Sequence, residues 1–129
     1  MIYPAISIQQ PWAHAIVYRG KNIENRTWKC PKKYMRRTIL IHAGAQRARN
    51  VNYSFYPALQ GLESASLKMG GIIGCMEIVG DTFNHESQWA ETLCQNWVIK
   101  NVKELPFFLC KGKLRFFDVS YPYEVPCGL

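Results

Sequence analysis

At 129 residues, 48% hydrophobic and with a formal net charge of +7, the chain fits a single domain around one core, large enough to bury about two-thirds of its unfolded surface without staples. No stretch approaches the ~18 apolar residues that a membrane helix needs, and Met1 to Ile8 lacks the basic region and long apolar run of a signal peptide. Five cysteines, Cys30, Cys75, Cys94, Cys110 and Cys127, contain no C-x-x-C pair, which speaks against a disulfide framework or a zinc site and for free thiols in a cytoplasmic protein with neither metal nor cofactor.

In chain order, Tyr3 to Ile8 is a predicted short strand whose apolar run gives way to Ser7, Gln9 and Gln10. Pro11 suits a first helical turn, where its missing N–H costs nothing. Trp12, Ala15, Ile16 and Arg19 follow at helical spacing, and Gly20 is placed to end the helix with positive φ. The N–H groups behind Gln10 and Pro11 then offer an anion site. Lys21 to Trp28 changes period: Glu24, Arg26 and Trp28 alternate with Ile23, Asn25 and Thr27, so the first three share one strand face. Lys29 to Arg36, with Pro31, is a loop or hairpin arm. Arg37 to His42 is a strand buried on both faces, and Ala43 to Asn50 turns away from it. Val51 to Lys68 has helical spacing, divided or kinked at Pro57. Gly70 to Val79 is a strand that its glycines allow to bend. Asp81 to Asn96 is expected to hold a short helix with Trp89 and Leu93 one turn apart. Trp97 to Cys110 holds one or two strands around Pro106, Lys111 and Gly112 turn, and Leu114 to Tyr123 is the last strand. So few helices among so many strands point to an α+β fold rather than a doubly wound sheet.

The charge is concentrated. Between Arg19 and Arg49 lie ten basic residues and one acid, Glu24, a net +9, while the remaining positions sum to −2. Such a segment attracts polyanions. Its interleaving with Trp12, Trp28 and Tyr34 suits single-stranded nucleic acid better than a plain solvated surface does. Lys21 is either a base, in the positive neighbourhood of Arg26, or an ammonium paired with Glu24. Glu24 and Arg26 are either an ion pair stiffening a rim or groups that touch a ligand. His42, at a strand end, is a buried hydrogen-bonded residue or a second candidate opening into a cleft. Glu77 faces either solvent at a bulge or the cleft. Neither a Ser-His-Asp order nor a metal cluster is visible.

The words Q-P-W-A and, after a helix, G-K-N-I-E-N-R-T-W resemble the signature of the ASCH domain (activating signal cointegrator homology). I-L-I-H-A at Ile39 to Ala43 and G-G-I-I-G-C-M-E at Gly70 to Glu77 are similar to the family's later strands. The resemblance implies one domain over residues 1–129, a PUA-like mixed β-barrel with flanking helices, and a ligand cleft between barrel and first helix. The cointegrator branch, which the chain resembles more closely, implies nucleic-acid binding, to RNA or single-stranded DNA. Lys21, Arg26, Lys29, Lys32 and Lys33 would then meet phosphates, Trp28 and Trp12 would stack, and Glu24, Gln10, Ser7 and His42 would meet a base or orient its neighbours. A second branch, of acetylcytidine amidohydrolases, implies a hydrolase acting on a modified nucleoside, with Lys21 as base and Glu24 as its partner acid. That branch carries a nucleophilic threonine where this chain has Glu24. Other members imply a ribonuclease.

Overall fold

The computed structural model describes residues 1–126; Cys127 lies outside them. Six strands form one mixed sheet: β1 (Ile2–Gln10), β2 (Ile23–Arg26), β3 (Ile39–Arg47), β4 (Gly71–Thr82), β5 (Gln95–Leu109) and β6 (Phe116–Ser120). Their spatial order is β2-β5-β4-β3-β1-β6. β1 and β3 are parallel, the other neighbours antiparallel. A parallel pair needs a crossover, and here it contains α1 (Trp12–Tyr18) and β2, which travels to the far edge of the sheet.

The side chains sort by strand parity. Ile6, Ile8, Ile39, Ile41, Ile73, Ile78, Trp97 and Ile99 form the main core, which α1 covers with Ala13 and Ile16. Ala5, Leu40, Ile72, Cys75, Phe117, Val119 and Tyr121 form a second cluster. β3 supplies both, which is why Ile39–Gly44, apolar but for His42, is buried throughout; of the expected strand from Arg37, Arg37 itself is exposed and Thr38 half-buried.

Local chemistry explains the elements near the first helix. Gln10 is fully buried; its Oε1 accepts from the His14 N–H at 2.8 Å and its Nε2 donates to the Lys68 carbonyl at 2.8 Å. The side chain thus occupies one of the free N–H groups that an anion would have used. At the other end, Gly20 adopts φ +75°, and the N–H groups of Arg19 and Lys21 both donate to the Ala15 carbonyl at 3.0 Å. This closing turn fixes where Lys21 begins its excursion.

Two expected helices are absent. Residues 51–68 make two 3-10 turns, Tyr53–Phe55 and Pro57–Leu59. The Asn52 side chain accepts from the Phe55 N–H, Pro57 cannot donate, and Tyr56 before it is extended at φ −115°, ψ 100°. Leu59 and Leu62 are nonetheless buried, with Ala15, Ile23 and Trp89. The spacing reported burial, not helix. Between Asp81 and Asn96, β4 continues to Thr82 and a loop follows, tied by Asn25, whose side chain donates to the Trp89 carbonyl and accepts from Glu91 N–H and Asn96 Nδ2. Leu93 is 95% exposed at φ +62° while Trp89 is buried, so the pair shares no helical face. β3 also runs on through Arg47 where a turn was expected. Pro106 does not divide β5: β2 pairs only with Gln95 to Val98, so beyond that point one side of β5 is an edge, where proline is tolerated.

The architecture is a mixed α+β sheet, and its ladder is not closed. β6 begins opposite Ile6, which leaves Ser7 to Gln10 of β1 unpaired on that side, and no ladder among the described residues joins β6 to β2. The expected barrel is therefore not completed by strand pairing. Side chains span the seam instead. Arg26 of β2 donates to the Ser7 carbonyl of β1 at 3.0 Å, and Trp28 meets Phe116 of β6 edge-on, centroids 6.0 Å apart. No helix among the described residues is long and apolar enough to cross a membrane.

Candidate nucleic-acid interface

At the seam three charged groups from one short segment converge. Lys21 and Glu24 are 4% and 6% exposed. The Lys21 ammonium donates to the Ile23 carbonyl and to Glu24 Oε1, the latter at 3.3 Å. Arg26 Nε donates to Glu24 Oε2 at 2.9 Å. Glu24 and Arg26 meet because alternate residues of β2 share a face, as the sequence parity required. Glu24 thus joins two cations, and the triad keeps one unit of positive charge. Trp12, at the start of α1, lies beside it, with Lys21 Nζ 5.5 Å from the indole centroid. A pocket of about 360 Å³ opens here, lined by Ser7, Ile8, Gln9, Trp12, Glu24, Asn25 and Arg26.

The two candidate stacking residues have different surroundings. Trp12 is half-buried and edge-on to Tyr56 at 5.6 Å. Trp28 is also half-buried, but it contacts Trp97 edge-on at 4.8 Å, and the Arg115 guanidinium lies 4.4 Å from its ring centroid. β2 ends at Arg26, so the parity that seemed to put Trp28 beside Glu24 stops short of it. Trp12, not Trp28, borders the triad's pocket.

The basic segment divides by role. Arg19 donates to the carbonyls of Ala58 and Gln60, and Arg47 to those of Ala65 and Leu62 and to the Tyr53 hydroxyl. These two arginines, with Lys21 and Arg26, hold the frame. Lys29, Lys32, Lys33, Arg36 and Arg37 are exposed and form no ion pair among the described residues. Their loop is held down by Tyr34, stacked on Phe116 at 3.9 Å. Phe116 follows Arg115, so the loop adjoins a second basic run, Lys111, Lys113 and Arg115, which had no role in the expectations drawn from sequence.

His42 is 1% exposed. Its Nδ1 lies 3.0 Å from Ser7 Oγ and its Nε2 2.8 Å from the Cys110 carbonyl oxygen. The parallel register of β1 and β3 sets Ser7 opposite His42. Both line a cavity of about 780 Å³, with the Cys110–Leu114 loop on its rim. This pairing had no sequence signal, since 35 residues separate the partners. Glu77 is half-buried in β4, in register with Lys100 of β5, away from these pockets.

Burial pushes the Cys30 thiol up to about 11, with the Asp81 carboxylate adding to the shift, and burial likewise raises Cys75, Cys94 and Cys110, so these thiols stay protonated. No three His, Cys, Asp or Glu side chains cluster as metal ligands among the described residues.

Lys21, Glu24 and Arg26 are therefore brought together with Trp12, while Gln10 lines a different pocket with His14 and Lys68, Lys29, Lys32 and Lys33 stand on the adjoining loop, and His42 lies under a separate cavity. Against known families, residues 6–108 match the model described as the ASCH domain. A comparison with curated proteins finds no match.

Proposed function

The chain belongs to the ASCH domain family, and from that premise we propose that it binds single-stranded nucleic acid, RNA or DNA, at the pocket of Glu24 and Arg26 and along the cationic loop that follows β2. The family is built on a PUA-like RNA-binding fold, with which nucleic-acid binding is compatible. The observation that carries the reading is the contrast in pairing. Glu24 makes both ion pairs found among the described residues, and the five loop cations from Lys29 to Arg37 have no carboxylate partner. Unpaired, exposed cations on an anchored loop are what a phosphate backbone uses. Trp12 supplies an indole at the pocket, and stacking on it would place a base against Glu24 and Arg26.

In this reading the domain extends past residue 108, because β6 pairs with β1 through five residues and carries Phe116, the anchor of the basic loop. The curled sheet, spanned by Arg26 and Trp28, is the PUA-like barrel in partly opened form. The cointegrator branch fits better than the amidohydrolase branch. The amidohydrolase branch carries a nucleophilic threonine where this chain has Glu24, whose carboxylate is held between Lys21 and Arg26. Turnover of acetylcytidine by purified protein, abolished in Lys21→Ala, would reverse that preference.

The test of binding is the salt dependence of affinity for short oligonucleotides. Lys29→Ala/Lys32→Ala/Lys33→Ala is expected to weaken binding. It should also flatten the plot of log affinity against log salt by about 0.7 for each phosphate that no longer meets a lysine on a single strand. An unchanged slope would place the binding face elsewhere.

A further inference from the structure

The cavity over Ser7 and His42 and the pocket of Glu24 and Arg26 both include Ser7 in their walls. Extending the single-strand reading above, we propose that they form one groove, in which the Ser7–His42 cavity is a second nucleotide subsite that takes a base bearing an exocyclic amino group, with the adjoining phosphate on Lys111 and Lys113.

The selectivity follows from hydrogen-bond roles. A carbonyl oxygen only accepts, so the contact of His42 Nε2 with Cys110 O places the ring proton on Nε2. In the neutral ring Nδ1 then holds a lone pair, and the Ser7 hydroxyl donates to it. Ser7 Oγ has one proton and has used it. Toward the cavity it presents lone pairs alone, which accept from the amino group of cytosine or adenine and repel the carbonyl that uracil presents at the same position.

The shape follows from β6 beginning opposite Ile6. Beyond that point the Cys110–Arg115 loop, not a strand, passes alongside Ser7. Gly112 makes this possible: a Cβ there would lie 2.8 Å from His42 Cε1 and 3.2 Å from Ser7 Oγ. A glycine keeps the floor of the cavity clear where any other residue would press on it. Leu109 and Leu114 give exposed apolar walls for a base, and Lys111 and Lys113 stand exposed on the rim. Because the Ser7 backbone carbonyl also holds Arg26, the two pockets meet at a single residue, as a ligand that spans both requires.

Calorimetric titration of the intact protein with cytidylates of one, two and four nucleotides, and with the matching uridylates, tests this. Cytidylate dimers are expected to bind at least tenfold more tightly than the monomer. Lys111→Ala/Lys113→Ala, at exposed positions, is expected to remove that gain and lower the salt slope for the tetramer by about 0.7, the value for one phosphate on a single strand. Ser7→Ala keeps the backbone carbonyl and is expected to erase the preference for cytidylate while keeping the gain with length. Equal affinity for monomer and tetramer, or a gain that survives the double lysine variant, would overturn the groove and leave the single-strand reading standing. A gain with length but no cytidylate preference in the unmodified protein would overturn the assignment of the Ser7 hydroxyl. No binding by any oligonucleotide would overturn both readings.

Discussion

Two groups of cations lie within a few residues of each other and do opposite work. Lys21 and Arg26 are folded onto Glu24, nearly or partly buried, each also bound to a backbone carbonyl. Lys29, Lys32, Lys33, Arg36 and Arg37 stand in solvent without a carboxylate. Along the chain they look like one basic run. The difference shows that charge density in a sequence measures supply, while the position of the rare acid decides which cations remain for a partner; Arg36 and Arg37 also reach carbonyls, at 3.5 Å, yet stay exposed. The first group belongs to the frame and shapes a pocket; the second is available to a polyanion.

The largest expected effect comes from breaking the first group. Glu24→Ala leaves two cations beside each other without a counter-charge, and removing one partner from a buried pair costs about 3–5 kcal/mol. Urea unfolding is expected to show that destabilisation, and a stability within about 0.5 kcal/mol of the parent would mean that the triad is not structural. Cys30 marks the boundary between the groups and gives a pH test. Its thiol, raised from 9 to about 11 by burial and then by Asp81, holds its proton more tightly folded than unfolded. That contribution is fully present below pH 9 and disappears as pH rises toward 11, on the order of 2 kcal/mol in all. Melting temperature is expected to fall across this window, and Cys30→Ala to flatten the fall.

Smaller effects separate the tryptophans. Trp12→Ala is expected to cost about 1–3 kcal/mol of oligonucleotide binding, because a base has no ring left to stack on. Trp28→Ala is expected to act on stability instead, because its indole packs against Trp97 and Phe116. Comparing binding isotherms with melting curves for the two variants checks this, and the reverse pattern would exchange their roles. The smallest stability change belongs to the second cation group: each of Lys29→Ala, Lys32→Ala and Lys33→Ala is expected to shift unfolding by less than about 0.5 kcal/mol, with its effect confined to affinity.

What could be read in advance was local. Pro11, Gly20 and the alternation of Glu24 with Asn25 act through nearest neighbours, so strand, helix, turn and strand appeared in order, and with them the Lys21–Glu24–Arg26 cluster. The failures were nonlocal. Leu59 and Leu62 recur at helical spacing, but Pro57 and the Asn52 side chain redirect the backbone while leaving both leucines buried. Trp28 seemed to share the face of Glu24 only while β2 was assumed to continue past Arg26. Ser7 and His42 meet through a parallel pairing, which no turn between them advertises. Gln10 was a candidate reader of bases, yet both ends of its amide are engaged inside the fold. The family signature marked the end of the molecule where Lys21, Glu24 and Arg26 converge, without distinguishing which of its polar residues face inward.

The seam between β2 and the end of β1 has a dynamic consequence. Elsewhere in the sheet neighbouring strands are laced by repeated amide bonds, so separating them requires cooperative unfolding. Here a single guanidinium-to-carbonyl bond, worth about 1.5–3 kcal/mol, and a few ring contacts hold the two margins. Breathing at this line is therefore thermally accessible well below the global unfolding free energy. The free edge of β1 from Ser7 to Gln10 borders that line, and the gap can adjust its width while the rest of the wall stays laced.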